Sequence, residues 1–137
     1  MGGVVDETDV CLAVYGEDLE PDEVTKALGR EPSSSHRRGD KMKSGKTTWR
    51  KGAWLLSVRG EADPEALTLR LLDGLSGDEQ VWAGLAARYV VQLRYGLFLG
   101  EWNQGLELSA ELIARVARMH AVLLFDIYGS ERAANNQ

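Results

Sequence analysis

The chain has 137 residues, 44% of them hydrophobic and 27% charged, the proportions of one globular domain. Its single cysteine, Cys11, excludes a disulfide within the chain and fits a reducing cytoplasm, and no run of about 18 apolar residues is available to cross a membrane. The net charge of −5 hides a split: Arg37, Arg38, Lys41, Lys43, Lys46, Arg50 and Lys51 against Asp40 give the 37–51 segment +6, and the difference leaves −11 on the rest.

Residues 1–7 have neither a basic region nor a long apolar run, so they read as a loose arm and not as a signal peptide. A myristoylation start is rejected because Asp6 stands where Ser or Thr is needed. In residues 10–15, Val10, Leu12 and Val14 alternate with Cys11, Ala13 and Tyr15, and both sets are apolar, which predicts a central strand. Pro21 suits a first helical position, and Asp22 and Glu23 complement the helix dipole. Val24, Ala27 and Leu28 form the inward stripe, Gly29 stops the helix, and Pro32 prevents its resumption.

Residues 33–46 are polar and read as an exposed, mobile loop. Thr47 to Val58 reads as a strand or a hairpin broken near Gly52, anchored by Trp49, Trp54 and Leu56. Asp63 and Pro64 open a second helix with Leu67, Leu71, Leu72 and Leu75 on its apolar face. Gly77-Asp78 opens a short third helix bearing Val81, Trp82 and Leu85. Tyr89 to Tyr95 alternates as a strand, and Ser109 caps a last helix with Leu112, Ile113, Val116, Ala117 and Met119 inward. Val122 to Tyr128 closes the series as another central strand, and residues 130–137 read as a frayed polar tail.

One domain over 8–129 follows, with the order strand-helix-strand-helix-strand-helix-strand. Polar outer helix faces predict a two-layer α+β fold, a four- to five-stranded mixed sheet with helices on one face, loosely ferredoxin-like. Parallel pairing within either strand–helix–strand half would need a right-handed crossover.

Gly16-Glu17-Asp18-Leu19 followed by Pro21 and Thr25, Leu28-Gly29 with Pro32, the lone Gly39, Trp54 with Ser57, Gly105-Leu106-Glu107-Leu108-Ser109 and Asp126-Ile127-Tyr128 occur in this order. From about Asp9 to Gly129 the chain resembles the bacterial domain of unknown function 4279 family. The resemblance implies a small α+β domain that usually stands alone. It implies no substrate, cofactor or catalytic residue.

The chemistry must then be read from the residues. Gly39 to Thr47 ends in Gly-Lys-Thr, but five residues separate its glycines instead of four, and the segment follows a helix and leads into a strand. A phosphate loop needs the reverse context, a strand before it and a helix after. The acids Glu17, Asp18, Glu20, Asp22 and Glu23 lack the ladder and closing glutamate of a calcium loop. His36 and His120 stand alone, and one cysteine supplies no zinc site. No nucleophile elbow exists, so no catalytic residue, metal or cofactor is assigned. Asp126 interrupts an apolar strand and must be paired, hydrogen-bonded or at a surface, and with Tyr128 it is a candidate polar site.

The basic strip is the strongest lead. Arg37, Arg38, Lys41, Lys43, Arg50 and Lys51 with Trp49, and the loop tryptophan Trp102, are the candidate binding residues. The acidic body would repel a long polyanion, which favours a protein partner over nucleic acid. The reading is a cytoplasmic, non-enzymatic binding or interaction module. Alternatives are an immunity- or antitoxin-like inhibitor using Glu17, Asp18, Glu20 and Asp22, a weak nucleic-acid binder, and an enzyme with a site built from Asp126, Glu107, Tyr15 and Tyr128. A homodimer through a sheet edge or face is a further reading.

Overall fold

The computed structural model describes residues 3–4, 7–60, 63–98, 100 and 104–129. In chain order the elements are β1 (Gly3–Val4), β2 (Glu7–Gly16), α1 (Pro21–Leu28), β3 (Ser34–His36), β4 (Gly52–Gly60), α2 (Pro64–Leu72), α3 (Glu79–Arg88), β5 (Val90–Phe98), β6 (Gln104–Gly105), α4 (Ala110–Arg118) and β7 (Val122–Tyr128). Five strands form one mixed sheet in the order β3-β4-β2-β5-β7, and β1 pairs with β6 in a separate two-stranded ribbon. The fold is α+β.

The strand β2 is central, as its two apolar faces demand. Val10, Leu12 and Val14 face Val58, Leu56 and Trp54 of β4 on one side and Tyr95, Leu93 and Val91 of β5 on the other. These residues share one core with Val24 and Leu28 of α1, Leu67, Leu71 and Leu72 of α2, Trp82 and Leu85 of α3, and Leu112 and Val116 of α4. All four helices therefore contribute to the same face of the sheet. The alternate set, Cys11, Ala13 and Tyr15 with Ala53, Leu55 and Ser57 and with Val90, Gln92 and Arg94, belongs to the face the helices leave open.

The helix boundaries follow their caps. The Asp63 carboxylate accepts from the Ala66 N–H, Asp78 from Gln80, and Ser109 Oγ from Leu112. Gly29 ends α1 at φ 80°, and His120 adopts φ 56° just past α4, a left-handed turn that releases the chain into β7. Inside the core, Thr68 Oγ1 lies 2.7 Å from both the Pro64 carbonyl and the Tyr95 hydroxyl. The carbonyl can only accept, so the single Thr68 proton goes there and Tyr95 donates to Thr68. Burial raises the Tyr95 phenol above its ordinary value, the Thr68 hydrogen bond works against that rise, and Glu65 adds to it.

Two expectations are corrected, and the pairing within each half, left open by the sequence, is decided. First, β7 is not central: it is the sheet's terminal strand, parallel to β5 alone. Among the described residues no strand pairs with its outer edge, so an apolar run on both faces does not require a central place. The first strand–helix–strand half is antiparallel, because β2 pairs antiparallel with β4, while β5 and β7 are parallel. The long 29–51 excursion after α1 lets the chain re-enter from the other end. Second, residues 33–46 are not a structureless loop. Ser34–His36 form an edge strand on Leu55, Trp54 and Ala53, and the chain beyond folds as a hairpin.

Candidate functional site: a groove under a basic hairpin

The hairpin after β3 is closed by backbone hydrogen bonds. Gly39 donates to Trp49 at 2.9 Å, Trp49 to Asp40 at 2.9 Å, Met42 to Thr47 at 2.9 Å and Gly45 to Met42 at 2.8 Å. Gly39 and Gly45 take φ of 92° and 72°, which other residues adopt at a penalty, so two glycines among charged residues are what let this segment turn. The Arg37 N–H donates to the Asp40 carboxylate at 2.8 Å and starts the fold-back.

The hairpin divides the basic strip in two. Arg37 Nε donates to Glu20 at 2.7 Å and its guanidinium lies 3.8 Å from Asp22. Arg38 reaches Asp18 at 3.3 Å and Glu17 at 3.9 Å. The acidic run before α1 and the start of the basic strip thus neutralise each other. Each pair is exposed and adds little stability alone, but together they tie the hairpin base to the α1 entry. Lys41, Lys43, Lys46, Arg50 and Lys51 form no ion pair among the described residues.

Between hairpin and sheet runs an open groove of about 1060 Å³. Its floor is the helix-free face of the sheet: Tyr15, Ala53, Leu55 and Val90. Met42, Thr47, Thr48 and Trp49 supply the hairpin wall, and Lys46, Arg50 and Lys51 line the same space. Trp49 stacks on His36 with ring centroids 3.7 Å apart and planes 11° from parallel. That stack pins the returning arm of the hairpin to β3. Partial burial lowers the His36 pKa below its ordinary value, with Asp40 and the Lys51 backbone opposing the shift, so the stacked ring favours its neutral form. An apolar floor beside unpaired cations can take a ligand with an apolar body and anionic groups.

Of the candidate binding residues, Trp49, Arg50 and Lys51 converge on this groove. Arg37 and Arg38 are turned to the acidic run, and Lys41 and Lys43 sit exposed on the hairpin, Lys41 bridged to Thr48. Trp102 lies outside the described residues. Asp126 and Tyr128 lie on the open face of β7 at the far end of the sheet, where Tyr128 stacks on Phe98 at 4.9 Å. Tyr15 and Asp9 lie six residues apart on β2, and Asp9 is in the row of Asp126, so about 20 Å of strand separates Tyr15 from Asp126. Glu107 lines a different small cleft with Asp63 and Glu65. The residues suggested for an assembled catalytic site are therefore not brought together. Among the described residues no three His, Cys, Asp or Glu side chains group to hold a metal, and no helix is long and apolar enough to cross a membrane.

Tyr15, Leu55, Val90 and Met42 were missed as groove residues. The alternation of β2 and β4 was the available signal for Tyr15 and Leu55, since it sets them opposite the core-facing Val14 and Trp54. Nothing local marks Met42 or Val90 as neighbours of that face. No curated protein and no solved structure matches the chain. With its Gly16-to-Pro32 phrase near the start and its Gly105-to-Tyr128 phrase near the end, the chain belongs to the family described as Domain of unknown function (DUF4279), which matches it over residues 6–130.

Proposed function

We propose that this protein is a non-enzymatic binding module, working in the cytoplasm, whose site is the groove under the 37–51 hairpin and whose ligand is an acidic, apolar-containing segment of a protein partner. One observation carries the reading: Lys46, Arg50 and Lys51, none ion-paired among the described residues, line the same groove as Tyr15, Leu55, Val90 and Trp49. Cations alone would suit any anion. The apolar floor favours a chain whose carboxylates alternate with Leu, Ile or aromatic side chains, because burying those adds affinity that a polyanion cannot match.

The inhibitor reading is weaker on this geometry, since its contact acids Glu17, Asp18, Glu20 and Asp22 already face Arg37 and Arg38. Nucleic acid remains the second reading, supported by Trp49 beside Arg50 and Lys51 and opposed by the −11 borne outside the strip.

The test is fluorescence polarisation with two labelled probes of equal length, a peptide alternating glutamate with leucine or phenylalanine and an oligothymidylate. Peptide binding weakened about tenfold or more, 1.4 kcal/mol, by K46E/R50E/K51E supports the proposal. Neutralising Arg37, Arg38, Lys41 and Lys43 instead should weaken it far less. Preference for the oligonucleotide with a steep salt dependence moves the assignment to nucleic acid. No binding of either probe overturns the groove as a site for acidic chains.

A further inference from the structure

The strand β7 leaves the core unfinished. Its inward residues Leu123, Phe125 and Ile127 stand in register with Leu93, Tyr95 and Leu97 of β5. They are 36%, 38% and 64% exposed, whereas those partners are 0%, 0% and 3% exposed. Val122, Leu124 and Tyr128 on the other face are exposed as well. Proteins normally blunt a terminal strand with lysine, proline, a bulge or short length, because its outer row of N–H and C=O groups can recruit another strand. The strand β7 has seven residues in unbroken register, and Asp126 is its one charge.

We propose that this edge pairs with β7 of a second copy, antiparallel, about a two-fold axis at Phe125, joining two five-stranded sheets into one. Opposed residues of an antiparallel pair share a face, so the axis must keep inward residues opposite inward ones. An axis at Phe125 sets Leu123 against Ile127 of the second copy, and Phe125 against itself, on the helix-covered side. On the open face it sets Val122 against Tyr128 and Leu124 against Asp126.

Charge selects this register. Within one copy the row of Asp126 continues through Gly96 to Asp9, and Asp9 is already 3.1 Å from Arg59. Arg94 lies in the row of Leu124, and neither Arg94 nor Asp126 has an ion pair among the described residues. Pairing about Phe125 places Leu124 of the second copy beside Asp126, with Arg94 of that copy next in the row, twice over by symmetry. Two strand spacings, about 10 Å, separate those backbones, a span the long arginine can largely bridge. An axis at Leu124 would give Asp126 the row of Val122 and Gln92, and an axis at Asp126 would oppose the two carboxylates.

The six exposed apolar residues of β7 offer on the order of 500 Å² per copy, so their complete cover would reach about 1,000 Å² per pair, the lower bound of a specific interface. A strand from an unrelated protein would have to bring its own matching cation.

Sedimentation equilibrium of the full chain tests this. A reversible dimer in the micromolar range is expected, with V122K/I127K raising the dissociation constant at least tenfold. Asp126→Arg and Arg94→Asp should each weaken the dimer, and the double exchange should restore it. Concentration-dependent protection of β7 amides from hydrogen exchange in the unaltered chain checks the same contact if a variant fails to fold. A chain that stays monomeric at high micromolar concentration overturns the proposal, and so does a dimer indifferent to V122K/I127K. Absence of rescue by the double exchange overturns the Phe125 register.

Discussion

At one edge of the sheet stands β3, three residues long, Ser34-Ser35-His36, with a hairpin folded back beyond it. At the other stands β7, seven residues, six of them large, apolar and exposed. The polar edge is short and its continuation turns away through Gly39, so little of β3 offers itself for further pairing. The apolar edge carries no such device. The same sheet therefore presents a groove beside its protected edge and, at the other, an apolar strand with no outer partner among the described residues.

The contrast predicts unequal consequences for similar substitutions. At concentrations low enough to keep the chain monomeric, Leu93→Ala on β5 should cost about 2–5 kcal/mol, as a fully buried leucine does. Leu123→Ala, its register partner on β7, should cost less, about 1–2 kcal/mol, because it is 36% exposed and has less burial to lose. Chemical denaturation of both variants checks this, and equal losses would mean that the β7 edge is covered after all.

On the hairpin side, Gly52→Ala should destabilise by about 1–3 kcal/mol. A Cβ there would come within 2.7 Å of the Leu19 carbonyl oxygen and 3.0 Å of its Cβ. A thermal melt matching the unaltered chain would show that the Leu19 turn yields without strain.

Smaller still is the coupling between Arg37 and Glu20. A double-mutant cycle should give a weak interaction that fades with salt, since both side chains are half exposed. A coupling insensitive to salt would contradict a solvent-screened pair.

The smallest effect should be a pH dependence of the hairpin. His36 has a lowered pKa in the fold and the ordinary 6.5 when unfolded, so the unfolded chain binds the proton more readily. The stacked, neutral ring's contribution is present above about pH 6.5 and is lost as pH falls through the window just below it. The protection of the Gly39 and Trp49 amides, taken relative to the unfolded chain at the same pH, should fall there, and His36→Phe should remove the change. Protection that rises on acidification would reverse the sign of the argument.

Most of the helices were legible because their signals are local. Pro21, Asp63 with Pro64, Asp78 and Ser109 each mark a start through the chemistry of the first turn. The central place of β2 was legible from apolar residues on both of its faces. The same reasoning failed for β7, where an equally apolar run lies at an edge. Apolar periodicity reports what a strand is able to bury, and it carries no information on whether a neighbour is there to bury it.

The site shows the same division. The basic strip and Trp49 stood out in the sequence as charge and composition. Its split into an arginine pair turned to Glu17–Asp22 and a lysine- and arginine-lined groove did not, because the acids precede the strip by some twenty residues and meet it only through the hairpin. Tyr15, Leu55 and Val90 come from three different strands, and only the register of the sheet sets them on one floor.

By itself the sequence determined the helices, their caps, the central strand, the α+β class and the family, since each rests on residues within a turn or two of one another or on their order along the chain. Only the tertiary structure decided which strand lies at the edge, which cations are neutralised and which side chains share the groove. Those depend on contacts between segments far apart in the chain, and local propensity leaves such contacts open until the sheet has chosen its order.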